Sequence, residues 1–249
     1  MNSVKRRIKS AFNLFALKIK EKHFNKRLKY LFIDNKSDTL MIVFSAFSTT
    51  NIRTYNYVRS LKTLKFDKLY ILDVWGYRGS YYLFENGESY PKVETMLLIN
   101  SILSKKKYRS IYTAGTSKGG TAAIFYGLEL NVSMIFAGAC QYNLGTYLTL
   151  PEHSAIFKGM MGKFAGLKEK NILDSIMPAQ LLAHSGSNVV IHLIYSKNEI
   201  TYEADIISLL GQLRLCEYNV VEKEYYFFNH GDVGRYFIDY MHAYFLCSK

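Results

Sequence analysis

Cysteine and proline are both scarce, at three residues each in a chain of 249. Cys140, Cys216 and Cys247 are far apart, odd in number and outside any CxxC pair. That excludes a disulfide scaffold, leaves no zinc spacing, and points to a reducing compartment. The 16 glycines follow no period and no heptad is sustained, so collagen-like, mucin-like and coiled-coil chains are excluded. No run reaches the ~18 uninterrupted apolar residues that span a bilayer. The N-terminus places Lys5, Arg6, Arg7 and Lys9 ahead of an apolar stretch over 11–17. That stretch is broken by Asn13, runs into Lys18 and Lys20, and offers no small-residue cleavage site, so the expectation is an unsecreted, cytoplasmic protein.

What remains is 49% apolar, too rich for disorder, with a net charge of +12. The charge is uneven. Residues 1–30 hold ten Lys/Arg against the single acid Glu21, so they carry +9. Val4, Ile8, Phe12, Phe15 and Ile19 recur there at helical spacing. Residues 1–29 are therefore expected to form a basic amphipathic helix. Such a helix suits an anionic membrane surface, peripheral at its inner face, or a protein partner; equally, its apolar stripe suits the protein's own body. Nucleic acid is disfavoured, because the rest of the chain has no basic stripe, zinc spacing or RNP-type motif.

Beyond residue 30, β-rich runs alternate with helical patterns, as in a parallel sheet with crossover helices. The runs are 30–33, 40–46, 69–74, 110–114, 132–137, 189–195 and 220–228. The helical patterns lie near 53–64, 91–104, 118–129, 202–214 and 233–246. No repeat or Pro/Gly-rich linker divides the chain, so residues 30–249 read as one α/β domain with a mostly parallel central sheet and helices on both faces. The segment 143–185 breaks the alternation with Pro151, Pro178, Met160-Met161 and several glycines, and reads as a helical cap inserted over one sheet edge.

Between the run at 110–114 and the pattern at 118–129 lies Gly115-Thr116-Ser117-Lys118-Gly119-Gly120, a G-x-S-x-G sequence. A bare motif proves little, but here an apolar strand leads in and a small-residue helix (Thr121, Ala122, Ala123) leads out. A serine on a sharp strand-to-helix turn needs unusual backbone angles, and Gly115 and Gly119 stand where Cβ atoms would collide. Ser117 Oγ would then project over the strand ends, with a helix N-terminus beneath it. The rival readings are an ordinary βα turn or a phosphate loop; a Walker loop is excluded by the missing G-x-x-x-x-G-K-[ST]. A metal-dependent hydrolase lacks H-E-x-x-H or any clustered ligand spacing, and no cofactor signature is present.

The elbow resembles that of the α/β-hydrolase superfamily. A longer pattern is more particular: Met41-Ile42-Val43-Phe44-Ser45-Ala46, Asp73-Val74-Trp75-Gly76-Tyr77-Arg78-Gly79-Ser80-Tyr81-Tyr82, the elbow itself, and Gly138-Ala139-Cys140-Gln141-Tyr142-Asn143-Leu144-Gly145. It is similar to the hydrolase-like proteins of bacterial capsule biosynthesis clusters and of the accessory Sec system. The resemblance covers roughly residues 39–245 in element order and is specific around the elbow and Gln141. It implies an α/β-hydrolase fold and serine-dependent acyl chemistry, as esterase or acyltransferase, on a carbohydrate or glycoconjugate of the bacterial surface.

The superfamily order of serine, acid and histidine implies His230, in Asn229-His230-Gly231-Asp232 ahead of the last helix, as the base. His192 lies within a strand run, His23 in the tail, His242 in the last helix, and His153 and His184 flank the insertion. Glu199, after the run at 189–195, is the acid the order implies, with a surface-loop acid as the rival reading. Glu203 and Asp205 fall one turn on, and Asp232 reads as an N-cap. The oxyanion donors implied are Lys118 N–H and Ala46 or Phe47 N–H, in a loop without HGGG. Gln141, Trp75, Arg78 and Tyr81, with Tyr82, are expected on the same sheet edge as substrate contacts. The rival to an enzyme is a non-catalytic assembly protein of the same fold, docking through its basic helix.

Overall fold

The computed structural model of the chain describes residues 19–47 and 53–246. Eight strands form one sheet: β1 (Lys22–Phe24), β2 (Leu28–Ile33), β3 (Thr39–Phe44), β4 (Asp67–Leu72), β5 (Ser110–Thr116), β6 (Met134–Gly138), β7 (Val190–Tyr195) and β8 (Asn219–Glu224). Their order is β1-β2-β4-β3-β5-β6-β7-β8. β1 and β2 run antiparallel at one edge, and β3 to β8 pair in parallel. β3 and β4 are buried along their whole length, as strands covered on both faces must be.

The two-residue period of the strands sorts their side chains between two cores. Leu40, Ile42 and Phe44 of β3 join Leu69 and Ile71 of β4 on one face. Over that face lie α1 (Tyr90–Leu103), α2 (Lys118–Glu129), α5 (Leu167–Ala183) and α6 (Ile207–Leu215), supplying Ile99, Ile124, Leu173 and Leu209. Met41 and Val43 point the other way, onto Leu61, Phe237, Tyr240 and Met241. The last three belong to α7 (Val233–Leu246). The expected segment 143–185 is helical: α3 (Leu144–Leu148), a 3-10 turn (Pro151–His153), α4 (Ser154–Met161) and α5, which runs on through Pro178. Gln180 of α5 donates to Phe125 O and Glu129, fastening the insertion to α2.

Two local expectations need correction. The helix expected over 53–64 is only a 3-10 turn, Ser60–Thr63. Tyr57 stands at φ 65°, which a right-handed helix cannot accommodate. Its hydroxyl lies 2.6 Å from Thr116 Oγ1, while Asn56 Oδ1 accepts the Ala46 N–H, so the segment is held by tertiary bonds instead. In the basic segment, 22–29 is a hairpin with Asn25 and Lys26 in the left-handed region, so the helix expected over 1–29 does not extend that far. Its stripe residues Val4, Ile8, Phe12 and Phe15 lie outside the described residues. Among the described residues no helix is long and apolar enough to cross a membrane.

Candidate active site

The carboxyl ends of β5, β6, β7 and β8 share one edge of the sheet, where loops from consecutive strands converge. Ser117 follows β5 at φ 52° and ψ −128°, an angle pair that L residues occupy only under constraint. The constraint is visible in the glycines. A Cβ on Gly115 would lie 2.3 Å from Gly119 O, and one on Gly119 would lie 2.4 Å from Phe44 O. Both contacts are with backbone and impossible to relieve by rotating a side chain. Ser117 N–H donates to Gly138 O at 2.7 Å, pinning the turn to the end of β6.

His230 sits in a 3-10 turn (His230–Asp232) just ahead of α7. Its Nε2 is 2.8 Å from Ser117 Oγ and its Nδ1 is 2.9 Å from Glu199 Oε1. Glu199 is 3% exposed, with its second oxygen accepting from Thr201 Oγ1. Burial pushes the Glu199 carboxyl up, but the hydrogen bonds from His230 and Thr201 outweigh it and hold the pKa below the usual glutamate value. A buried carboxylate bonded to Nδ1 fixes the tautomer that leaves Nε2 free to take a proton from a hydroxyl. The other carboxylates stand apart. Asp205 accepts the N–H groups of Tyr142 and Asn143 at 2.8 Å each, and burial raises its pKa. Glu203 and Asp232 are exposed.

Ser196, which sequence reasoning passed over, ties the acid loop to the histidine loop. Its hydroxyl donates to Phe227 O at 2.7 Å and accepts from the N–H groups of Phe227 and Asn198 at 3.2 Å. The only hint was a serine directly after an apolar strand, which is too common to weigh.

Beneath the elbow is a buried ion pair that the sequence also did not announce. Lys118 Nζ lies 2.8 Å from Asp73 Oδ2, both side chains being 1% exposed. The ammonium is 4.7 Å from the Tyr82 ring centroid and 5.4 Å from that of Phe47. Tyr82 OH in turn accepts the Ser45 N–H at 2.7 Å and donates to Ile71 O at 2.9 Å. The helix that begins at Lys118 is thus joined to the loop after β3. The Lys118 main-chain N–H is the first of α2 and has no acceptor within the helix.

Of the two loop donors expected opposite Lys118, Ala46 is already committed, its N–H donating to Asn56 Oδ1 at 3.0 Å. The expected substrate contacts also need correction. Trp75, Tyr81 and Gln141 are each 0% exposed. Tyr81 OH donates to Gln141 Oε1 at 3.2 Å, and Gln141 exchanges hydrogen bonds with Thr121. Tyr81 and Gln141 hold the β6 exit against α2, and none of the three presents anything to a ligand arriving from solvent. Arg78 is half-buried, with its guanidinium 5.6 Å from the Phe47 ring centroid.

Beside His230 a cavity of about 400 Å³ opens instead. Its walls come from α3 and the turn after it (Asn143, Tyr147, Leu150, His153) and from the segment after β7 (Ile200, Ala204). Among the described residues, no group of three His, Cys, Asp or Glu side chains is placed to hold a metal ion.

Compared by sequence, the chain matches no protein-family model and no curated protein. Solved structures do match. The capsule O-acetyltransferase of Neisseria meningitidis serogroup A superposes with a TM-score of 0.75 at 22% identity, over 90% of this chain and 93% of that one. A mutant of that protein was solved in complex with CoA. The Glycosylation Associate Protein (Gap123) complex from Streptococcus agalactiae gives a TM-score of 0.73 at 20% identity, over 90% of this chain and 46% of the other. FphF, a fluorophosphonate-binding serine hydrolase of Staphylococcus aureus, gives 0.60 at 13% identity, over 89% and 96%. The chain has the α/β-hydrolase fold.

Proposed function

We propose that the chain is a serine-dependent acyl-transfer enzyme, acting on an acyl ester of a carbohydrate or glycoconjugate of the bacterial cell surface. The observation that carries this is the unbroken line of hydrogen bonds from Ser117 Oγ through His230 to the buried Glu199. Ser117 Oγ attacks the carbonyl carbon while its proton passes to His230 Nε2, and Glu199 stabilises the imidazolium. The oxyanion is held by the N–H of Lys118 and that of Phe47, since Ala46 is occupied by Asn56. The bond to the leaving atom, the alcohol oxygen of an ester or the sulfur of a thioester, then breaks, and that atom takes the proton from His230. In the second half, water or another hydroxyl repeats the sequence in reverse against the acyl-enzyme.

Two neighbours support the choice of chemistry, one an O-acetyltransferase of capsule and one a serine hydrolase that binds fluorophosphonate. The CoA complex of the former supports a thioester as acyl donor for transfer. The expected result is that wild-type protein turns over p-nitrophenyl acetate and is labelled by a fluorophosphonate probe, and that Ser117→Ala does neither. A wild-type protein that takes no label refutes the enzyme.

The likeness to the Gap123 complex supports a second reading, in which a protein of this fold is part of an assembly. The basic segment 1–29 is the contact in that reading, with a protein partner or an anionic membrane surface. Full-length chain should bind partner or anionic vesicles more tightly than chain lacking residues 1–18, and equal binding removes it.

A further inference from the structure

We infer that the cavity beside His230 is the subsite for the alcohol half of the ester, and that it takes an uncharged, ring-sized alcohol of the pyranose kind. This rests on the serine mechanism proposed above. In that mechanism the acyl carbon is bonded to Ser117 and its oxyanion faces Lys118 and Phe47. The alcohol oxygen must instead reach His230 Nε2, because that nitrogen supplies its proton on departure and removes it on attack. Among the described residues the cavity is lined by His230 and by none of Ser117, Lys118 and Phe47. It therefore lies on the alcohol side of the scissile bond.

The lining specifies what fits. At about 400 Å³ the cavity is in the range of small-molecule sites. Tyr147 and His153 are stacked, ring centroids 4.3 Å apart and planes 28° from parallel, and with Leu150 and Ile200 they make an apolar wall. A pyranose offers such a wall its C–H face and donates its hydroxyls to the side-chain oxygens of Asn143, Thr146 and Thr201, which also line the space. Those oxygens keep acceptor lone pairs after their own donors are spent on Ala204 O, Asp174 and Glu199. No Lys or Arg is among the described lining residues, while the exposed Glu152 carries the one uncommitted carboxylate. Asp205 is buried and already bonded to two N–H groups. Burial holds the His153 pKa below its usual value, so that ring brings no cation at neutral pH. The nearest cation, Arg78, acts on Tyr147 and His153 from outside the lining, so an anionic alcohol finds no counter-charge on the cavity wall itself.

The test uses full-length protein and five synthetic esters. Ala204→Trp and Ile200→Trp narrow the cavity at exposed positions, so both variants should fold, which melting curves check. Each should lower kcat/KM for 4-methylumbelliferyl acetate about tenfold or more relative to vinyl acetate, whose alcohol is small. The ratio of p-nitrophenyl butyrate to p-nitrophenyl acetate, which differ only in the acyl chain, should stay as in wild type. Variants that move the acyl ratio and leave the alcohol ratio alone would assign the cavity to the acyl chain and overturn the inference. Folded variants that move neither ratio would overturn it too. Wild type should also prefer 4-methylumbelliferyl acetate over 7-acetoxycoumarin-3-carboxylate, and the reverse preference rules out an uncharged alcohol. Fluorophosphonate labelling run in parallel separates these failures from failure of the serine mechanism itself.

Discussion

Replacing Lys118 by methionine removes one half of the buried pair on which the elbow rests, and replacing Asp73 by asparagine removes the other. At 2.8 Å and an effective dielectric constant near 20, the attraction between the two charges is about 6 kcal/mol. Burying two ions costs several kcal/mol each, so the pair is close to neutral overall compared with an apolar substitute. Breaking it is different. Lys118→Met leaves the Asp73 carboxylate buried with only the Ser80 and Tyr82 groups for company, at a cost of about 3–5 kcal/mol. Asp73→Asn strands the ammonium at a similar cost, and the double variant should recover much of the loss. Urea denaturation of the four proteins should therefore give a coupling energy of about 2 kcal/mol or more. The pH dependence carries a sign of its own. Burial holds the Lys118 pKa below the usual 10.5, and Asp73 opposes that shift. A base with a lower pKa when folded binds fewer protons folded than unfolded, so stability rises with pH between the two values. Without the Asp73 charge the rise should begin at lower pH. Additive single effects, or an Asp73→Asn protein whose stability falls as pH rises above neutral, would refute this account of the pair.

Three further outcomes follow from the same edge of the sheet. Glu199→Gln keeps the shape but not the charge beside His230, so kcat should fall by roughly 10³- to 10⁴-fold with KM little changed. A kcat within a few-fold of wild type would return Glu199 to a surface-loop acid. Because the Glu199 carboxyl is held below its usual 4.5, its contribution to stability is present above that value and lost as pH falls through the folded one. The stability gap between wild type and Glu199→Gln should accordingly narrow on acidification, and a gap that widens refutes the assignment. Gly119→Ala puts a Cβ 2.4 Å from Phe44 O, so α2 must retreat from β3 and carry the Lys118 N–H with it. About 1–3 kcal/mol of stability and most of the fluorophosphonate labelling should be lost together. An alanine variant as stable and as reactive as wild type would mean that the elbow is looser than its geometry.

The sheet was readable because period and burial agree. Runs such as Leu40-Met41-Ile42-Val43-Phe44 are apolar at every position, which suits only a strand with cores on both sides, and β3 divides its side chains between two. The elbow was readable because two glycines at fixed offsets answer a steric need, as their contacts with Phe44 O and Gly119 O show. The segment at 53–64 was misread for the opposite reason. Its apolar spacing is helical, but the left-handed Tyr57 is bonded to Thr116 far along the chain and Asn56 to Ala46 in the loop after β3, and neither tertiary partner shows in a local pattern. β1 was missed because Lys22-His23-Phe24 has no apolar alternation to show; its place comes from pairing with β2.

The stretch from Asp73 to Tyr82 was misread more instructively. An aromatic loop with an arginine suits a sugar ring when only composition is known. The backbone gives it another use. Gly76, Arg78, Gly79, Tyr81 and Tyr82 all have positive φ, so the chain doubles back on itself and drives Trp75, Tyr81 and Tyr82 into the core. Gly79 at φ 111° marks the tightest point, since a Cβ there would lie 2.8 Å from Asp73 Oδ2 and 3.0 Å from Lys118 Nζ. The bend therefore delivers the Asp73 carboxylate and the Tyr82 ring to the ammonium under the elbow. Tyr82 is spent on holding Ser45 and Lys118 in place, Tyr81 on holding Gln141, and Trp75 on filling the core, so that only Tyr77 of its aromatics stays exposed. The subsite proposed above draws instead on the insertion and on the segment after β7, on residues such as Tyr147 and Ile200 whose sequence context shows no motif at all.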